Sequence, residues 1–249
     1  EKTMKHSSVR TVIMCIVGLA LFAVQGIAVP VPPLSMTGMI VGQPELGSVD
    51  LLTYGEFELE DGGKKWKLKD AVFTQGAWDG AADITVEEIE FDPDPIIYNN
   101  ILVANNSGVT QTYQFDITLP TTWAAGPIRG SIDTSVIGGN ALLQAPTGGS
   151  VYDARIDGVS VRTLQDDIFA LGTGQSATSD FVNFGWEPNA VPVTTDIGIR
   201  LTFSLSPGAT AAILSDFEVI PEPASIAMIG LVSGFGLFIR RRFLRSEER

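Results

Sequence analysis

The stretch QTYQFDITL (residues 111–119) alternates large apolar side chains with polar ones over its whole length. Successive side chains of a β-strand point to opposite faces of a sheet, so this pattern predicts a strand with one buried and one solvated face. DIGIRLTFSL (residues 196–205) repeats the pattern and is followed by a Ser206-Pro207-Gly208 turn. The apolar positions of the two stretches are Tyr113, Phe115, Ile117, Leu119, Ile197, Ile199, Leu201, Phe203 and Leu205.

Further strands are predicted on both sides of these two. IIYNNILVA (residues 96–104), ITVEEIEF (84–91) and ATAAILSDFEVI (209–220) are short and apolar enough for strands, and turn residues separate them. In ARIDGVSVRTL (154–164), Asp157-Gly158 predicts a hairpin turn with Ile156 opposite Val159. We expect eight to ten strands in an antiparallel β-sandwich or jelly roll over residues 29–220. Only QDDIFALG (165–172) is a candidate for a short helix.

The stretch FELEDGGKKWKL (residues 57–68) predicts a hairpin with a two-residue Gly62-Gly63 loop. This loop sets Leu59 opposite Trp66 and Glu58 opposite Lys67. One face of the hairpin is then apolar, and the other is a ladder of opposite charges. A slip of one residue would invert both faces, so the charges define the register and are not interpreted as a binding patch.

The charge distribution narrows the possible partners. The chain carries a formal net charge of −13, and residues 29–220 hold 25 Asp and Glu residues against 8 Lys and Arg residues. A nucleic-acid-binding surface needs a basic footprint, so the acidic composition argues against DNA or RNA as a partner.

The N-terminal segment has the organisation of a secretory signal peptide. Basic residues precede the apolar run Val12–Val24, and small residues follow at Gly26 and Ala28. We therefore expect a signal-peptide helix within residues 1–28, a natural start at Met4, entry into the Sec translocon, and cleavage after Gly26 or Ala28. The single histidine (His6) and the single cysteine (Cys15) both belong to this segment.

The remaining sequence excludes several chemistries. Residues 29–220 contain neither histidine nor cysteine, so they offer no imidazole base for a serine or cysteine nucleophile and no zinc site of the usual type. Glycoside hydrolysis by two carboxylates is the one enzymatic class that this composition permits. An acidic exported protein carries many carboxylates for solubility alone, so we expect a protein that is not an enzyme and has no cofactor.

Three groups of residues are candidates for binding. Asp92 and Asp94 in FDPDP are weak candidates for a calcium site, as are Asp79, Asp83 and Asp166-Asp167, but turn chemistry explains these residues more simply. Asn105-Asn106-Ser107 has the form of a glycosylation acceptor and is interpreted as the polar turn of a hairpin. The third group consists of tryptophans beside turn residues, which stack on sugar rings when exposed and are more often partly buried: Trp78, Trp123 and Trp186.

The C-terminal segment, residues 221–249, combines three features. Pro221-Glu222-Pro223 stops the preceding strand, residues 224–239 form an uncharged run, and Arg240, Arg241 and Arg242 follow. A 16-residue helix spans about 24 Å, and an arginine cluster at its end favours the cytoplasmic side of a membrane. We therefore expect a C-terminal transmembrane helix that holds an exported body.

This combination resembles the PEP-CTERM sorting signal of Gram-negative bacteria, a segment also called the "ice-binding protein C-terminal domain". The resemblance covers the last 30 residues or so. It implies handling by exosortase, cleavage near Pro-Glu-Pro, a transient stay in the inner membrane, and release to the cell surface or the medium. It also implies an association with exopolysaccharide. A sorting signal is an address, so the activity of residues 29–220 is not inherited from it.

The sequence thus predicts an exported, non-enzymatic protein of the cell surface or biofilm matrix. The alternative is a carbohydrate-binding module, which requires exposed tryptophans on one sheet face. A carboxylate-based glycan hydrolase is the less favoured alternative and requires two carboxylates in a concave cleft.

Overall fold

A computed structural model describes residues 34–43, 47–50, 57–60, 65–73, 78, 80–92, 95–167, 169–172, 178–189 and 191–220. These residues form fifteen strands, and every strand pairing among them is antiparallel. The strands are β1 (Ser35–Ile40), β2 (Ser48–Asp50), β3 (Phe57–Glu60), β4 (Lys65–Phe73), β5 (Ala82–Asp92), β6 (Ile96–Asn105), β7 (Gln111–Pro120), β8 (Ile128–Ile137), β9 (Leu142–Gln144), β10 (Ser150–Ile156), β11 (Val159–Asp166), β12 (Ala170–Gly172), β13 (Thr178–Glu187), β14 (Asp196–Leu205) and β15 (Thr210–Val219).

The strands divide into two sheets. The first sheet has the order β11-β10-β14-β7-β1-β2, with β9 paired to β14 and β12 paired to β9. The second sheet has the order β13-β8-β15-β6-β5-β4-β3. The prediction of an all-β fold with two antiparallel sheets is therefore confirmed.

The alternation that predicted β7 and β14 also shapes the core. Their apolar side chains are buried, and the aromatic ones lie against each other, with ring centroids 5.7 Å apart for Tyr113 and Phe203 and 6.1 Å apart for Phe115 and Phe203. In the second sheet, the strictly alternating burial of β6 and β15 supplies Ile97, Ile213 and Phe217 to the same core. Each sheet thus has one apolar face, and burying these faces against each other stabilises the two-layer arrangement.

The segment between β6 and β7 corrects one prediction. Asn105-Asn106-Ser107 was expected to form the polar turn of a hairpin, but β6 lies in the second sheet and β7 in the first. The Asn105 side chain is fully buried and donates to the carbonyl oxygens of Leu205 at 2.8 Å and Val109 at 2.9 Å. A buried amide needs such partners, and here they connect the two sheets instead of closing a hairpin.

The hairpin predicted over residues 57–68 has the expected register. Phe57 lies opposite Leu68, Glu58 opposite Lys67, and Leu59 opposite Trp66. The Gly62-Gly63 loop itself lies outside the described residues. In the next strand pair, Lys67 lies in register with Glu90 and Lys69 with Glu88.

The turn at Asp157-Gly158 is also confirmed. Both residues have positive φ angles, 51° and 74°, and Ile156 pairs with Val159. The Asp157 carboxylate accepts hydrogen bonds from the backbone amides of Thr194, Thr195 and Asp196 at 2.9, 2.7 and 3.2 Å. The turn therefore also anchors the chain where it enters β14.

Two further predictions need correction. The helix considered for residues 165–172 does not form, because β11 continues to Asp166, with Gln165 at a φ of 55° near its end, and β12 begins at Ala170. The described residues form fifteen strands, more than the predicted eight to ten. Three of the fifteen, β2, β9 and β12, have only three residues each, which is too short to show alternation.

Two predicted helices lie outside the described residues: the signal-peptide helix of residues 1–28 and the C-terminal helix of residues 224–239. Within the part of the chain that is described, no helix is long and apolar enough to cross a membrane.

Candidate functional site

The outer face of the second sheet carries a shallow groove, which we call the β13–β5 groove. It consists of two depressions of 440 and 350 Å³ that share Arg129 and Asp216. The first depression lies over β13, β8 and β15, and the second lies over β8, β15, β6 and β5. The side chains that line the groove include Trp186, Asn183, Ser131, Tyr98, Glu88, Glu90 and Glu218.

A β-bulge in β13 places a tryptophan in this groove. Phe184 pairs with Gly130 and Glu187 pairs with Ile128, so Gly185 and Trp186 together face the single residue Arg129. A bulge bends its strand and redirects the side chain that it carries. As a result the Trp186 side chain lies on the outer face, where the residue is 46% exposed.

Arg129 holds the position next to Trp186. Its guanidinium carbon lies 4.6 Å from the centroid of the Trp186 ring, which is the range of a cation–π interaction. The same guanidinium donates from Nε to Glu218 Oε2 at 2.5 Å and pairs with that oxygen through a second nitrogen. Arg129 therefore contacts both the Glu218 carboxylate and the Trp186 indole.

The groove floor follows one row of side chains across the sheet. Asn183, Ser131, Asp216, Tyr98 and Glu90 lie in register on β13, β8, β15, β6 and β5. At the usual spacing of neighbouring strands, this row spans roughly 19 Å. Ser131 Oγ donates to Asp216 Oδ1, so the floor contains a preformed hydrogen-bonded pair.

The first sheet supports this row from below. The Tyr152 hydroxyl donates at 2.8 Å to the carbonyl oxygen of Asp216. It reaches that oxygen because Gly130 has no side chain, since a Cβ at this position would lie 2.5 Å from the hydroxyl. Burial, together with the charges of Asp216 and Asp153, raises the pKa of Tyr152 well above its usual value, so the hydroxyl keeps its proton.

The arrangement suits recognition of a flat, hydroxyl-rich molecule. An exposed indole gives an apolar surface for stacking, and the neighbouring amide, hydroxyl and carboxylate groups accept and donate hydrogen bonds. The groove is shallow and open, and an elongated ligand can lie across the strands without entering the core.

The three tryptophans predicted as candidates differ in their exposure to solvent. Trp78 is buried, with 2% of its surface exposed, and its ring lies 6.1 Å from that of Tyr113. Trp123 is half-buried against the core and pairs with Val193 through backbone hydrogen bonds. Trp186 alone among the three is an exposed aromatic residue in a groove.

The predicted calcium candidates fall only partly within the described residues. Asp94 and Asp79 lie outside the described residues. Asp83 accepts a hydrogen bond from Asn106, and Asp167 accepts one from the Gly148 amide. Among the described residues, no three acidic, histidine or cysteine side chains lie close enough to hold a metal ion.

The predicted sorting residues lie outside the described part of the chain: Pro221, Glu222, Pro223, Arg240, Arg241 and Arg242.

Sequence reasoning missed most of the groove. Tyr98, Ser131, Asn183 and Asp216 occupy the polar positions of alternating strands, which look the same as any solvated face. The one available signal was Gly185-Trp186 at the end of a strand, because glycine beside a large aromatic residue often marks a bulge.

Comparison with known proteins yields only distant structural likenesses. A scan of family models finds no match, and a search of curated proteins finds no relative.

The solved structure of TmCBM61 in complex with beta-1,4-galactotriose aligns with 57% of this chain and 88% of the TmCBM61 chain, with 12% identity and a TM-score of 0.28. The family 11 carbohydrate-binding module from Clostridium thermocellum, in complex with a beta-1,3-1,4-mixed-linked tetrasaccharide, matches 76% and 98%, with 10% identity and a TM-score of 0.24. The Stig cyclase Fisc from Fischerella sp. TAU matches 75% and 99%, with 9% identity and a TM-score of 0.31. Likenesses at this level carry no argument about function.

Proposed function

We propose that this protein is a non-enzymatic, exported glycan-binding protein of the cell surface or extracellular matrix, and that the β13–β5 groove is its binding site. The observation that carries the proposal is the Trp186 indole, which is half exposed and lies against Arg129 at one end of a polar groove. An exposed indole beside hydrogen-bonding groups offers an apolar face on which a sugar ring can stack.

The lining residues support binding more than catalysis. The first depression offers Asn183 and Ser131 as neutral hydrogen-bonding groups beside the indole. Tyr98 lines the second depression. Its depressions are shallow, whereas glycoside hydrolysis requires two carboxylates that flank a bond held in a cleft. The Asp216 carboxylate is engaged with Ser131, and that of Glu218 with Arg129, which suits a rigid recognition surface.

The test is binding of the purified full chain to a panel of soluble polysaccharides by affinity electrophoresis. We expect retention by at least one glycan and about tenfold weaker retention for Trp186→Ala, as expected from the loss of one aromatic stacking contact. Phe181→Ala is the matched control, because Phe181 is also an exposed aromatic residue of β13 but does not line the groove.

The two variants decide the proposal together. Equal retention of wild type and Trp186→Ala would show that the groove does not bind the glycan. Retention that falls equally for Trp186→Ala and Phe181→Ala would indicate a general apolar effect of β13. If no polysaccharide is retained, the proposed function is wrong.

Export and sorting are the second part of the proposal, and the sequence supports it. Residues 1–28 resemble a signal peptide, and residues 221–249 resemble a PEP-CTERM signal. We propose that the chain enters the Sec translocon, remains in the inner membrane by its C-terminal helix, and is cleaved by exosortase near Pro221-Glu222-Pro223. The released protein then associates with exopolysaccharide.

Cell fractionation with mass spectrometry of the mature C-terminus tests this part. We expect a mature C-terminus near Glu222 in the wild type, and an uncleaved, membrane-held precursor when Glu222 is replaced or Arg240–Arg242 are deleted. Trp186→Ala is the control and leaves sorting unchanged. Normal-sized protein in the medium after replacement of Glu222 would overturn the proposal.

A further inference from the structure

Each of the two depressions of the β13–β5 groove contains an aromatic side chain. Trp186 of β13 lines the first depression and is 46% exposed. Tyr98 of β6 lines the second depression and is partly exposed, with Ile96 beside it on the same face of the strand. The outer face of the second sheet therefore carries two aromatic contact surfaces in one groove.

Two strands separate these aromatic residues. In the second sheet, β8 and β15 lie between β13 and β6. Three steps between neighbouring strands correspond to roughly 14 Å. Trp186 faces Arg129 across the bulge, whereas Tyr98 lies in register with Asp216, one row of side chains further along the sheet. One sugar ring cannot bridge this separation, so it can contact only one of the two side chains.

The middle of the groove, between the aromatic residues, is polar. Arg129 contacts the Glu218 carboxylate, and Ser131 donates to Asp216. These four residues lie on β8 and β15. The groove therefore presents an aromatic, a polar and a second aromatic zone in sequence across the strands. A linear glycan matches this order, since each sugar ring has an apolar face for stacking and hydroxyl groups for hydrogen bonds.

The long axis of the groove runs across the strands. The first depression lies over β13, β8 and β15, and the second lies over β8, β15, β6 and β5. A chain that follows this axis passes both Trp186 and Tyr98, whereas a chain parallel to β13 meets only one of them. The repeat of an extended β-linked chain is close to the spacing of neighbouring strands, about 4.8 Å. Sugar units three positions apart therefore match the two aromatic side chains.

If the groove binds glycan as proposed above, we infer that Tyr98 is a second stacking residue and that the ligand is an extended, linear chain of at least four sugar units. Trp186 contacts one unit, Tyr98 contacts the third unit after it, and the polar pairs contact the units between them. Two contacts on one ligand reinforce each other only when the ligand spans both sites. Shorter oligosaccharides make one of the two contacts and bind more weakly.

Variants of Tyr98 in the full chain test its role. Affinity electrophoresis uses gels that contain hydroxyethyl cellulose, soluble β-1,3-glucan or galactan. We expect retention of Tyr98→Ala to be about tenfold weaker than that of the wild type, as for the loss of one aromatic contact, and retention of Tyr98→Phe to match the wild type. Phe181→Ala is the control, because Phe181 is exposed on β13 and lines neither depression.

Two outcomes of this experiment would overturn the inference and leave the proposed function intact. Equal retention of wild type and Tyr98→Ala would show that the residue does not contact the glycan. Equal losses in Tyr98→Ala and Tyr98→Phe would show that the hydroxyl acts and the ring does not stack.

A length series tests the span with the wild-type protein alone and depends on no variant. Oligosaccharides of two to six units, prepared from the polysaccharide that is retained, compete with that polysaccharide in the gel. We expect the concentration needed for half displacement to fall at least tenfold between three and four units and to change much less beyond four. A concentration that does not fall between three and four units would overturn the inference. If no polysaccharide is retained, the proposed function and the inference are both rejected.

Discussion

The hydroxyl of Tyr152 donates a hydrogen bond of 2.8 Å to the backbone carbonyl of Asp216 and so joins the first sheet to the strand that carries the groove floor. Tyr152 is fully buried in the core, whereas the Asp216 side chain lies on the outer face of the second sheet. The core and the candidate site therefore share one strand position, and changes beneath the sheet are expected to affect the groove above it.

Replacing Gly130 tests this connection. A Cβ at this position would lie 2.5 Å from the Tyr152 hydroxyl, 2.8 Å from the Asp216 carbonyl and 2.9 Å from the Phe184 ring. We expect Gly130→Ala to lower the free energy of unfolding in urea by about 1–3 kcal/mol through overpacking. Gly185→Ala is the control, because a Cβ there has no atom within 4 Å.

The same contact predicts a coupling. Adding Tyr152→Phe to Gly130→Ala removes the closest clash, so the double variant should lose less stability than the sum of the two single variants. Strict additivity would show that the hydroxyl does not cause the strain.

We expect the buried side chain of Asn105 to contribute far more to stability than the side chain of the neighbouring Asn106. Asn105→Ala removes the two hydrogen bonds that the amide donates to the carbonyls of Leu205 and Val109, and the two that its Oδ1 accepts from Ser107. We expect a loss of about 2–4 kcal/mol in the free energy of unfolding, measured with urea. Asn106→Ala, which removes an exposed contact to Asp83, should change it by less than about 0.5 kcal/mol. Similar losses for the two variants would contradict the cross-sheet role.

The Asp157 carboxylate predicts a dependence on acid pH. Burial by itself would raise the pKa of Asp157, but hydrogen bonds from the Thr194 hydroxyl and from the amides of Thr195, Thr194 and Asp196 outweigh burial and hold the pKa well below its usual range. A lowered pKa stabilises the folded state above the unfolded value of about 3.9, and this stabilisation is lost as the pH falls.

Thermal melts from pH 7 to pH 2 measure this effect. Asp157→Asn should have a lower Tm than the wild type at pH 7, and the difference should narrow steadily below about pH 4. Asp166→Asn is the control, since Asp166 is an exposed residue of the adjoining strand. A gap between wild type and Asp157→Asn that stays constant with pH would refute the charge-based explanation.

Tyr152 predicts the opposite dependence at alkaline pH. Its pKa is raised, by burial first and then by the charges of Asp216 and Asp153, so the folded state keeps the phenol proton when the unfolded chain releases it. Stability is complete below about pH 10 and falls above it, by about 1.4 kcal/mol per pH unit for one such tyrosine. Tyr152→Phe should show a slope above pH 10 that is shallower by this amount, and identical slopes would refute the prediction.

Local features of the fold were open to prediction because their physical causes are local. The alternation in residues 111–119 and 196–205 depends only on the two-residue period of a strand, and β7 and β14 match it closely. The Asp157-Gly158 turn depends on the tolerance of these residues for positive φ. The register of Phe57 with Leu68 follows the alternation of apolar and charged residues in the sequence.

Non-local features could not be predicted in the same way. Nothing in Asn105-Asn106-Ser107 distinguishes a hairpin turn from a crossing between sheets, because the partner of the Asn105 amide is Leu205, 100 residues away in sequence. The three tryptophans have similar neighbours in the sequence, yet Trp78 is buried and Trp186 is exposed. Burial depends on which sheet covers a residue, and a single chain segment does not contain that information.

The sequence alone therefore determined the all-β class, the faces of the long strands and the tight turns, since backbone stereochemistry and side-chain period act over a few residues. The tertiary structure decided which strands share a sheet, and hence that Trp186, Arg129, Asp216 and Tyr98 meet on one face. They come from four strands of different chain position, and only the burial of the apolar faces against each other brings those strands into neighbouring positions.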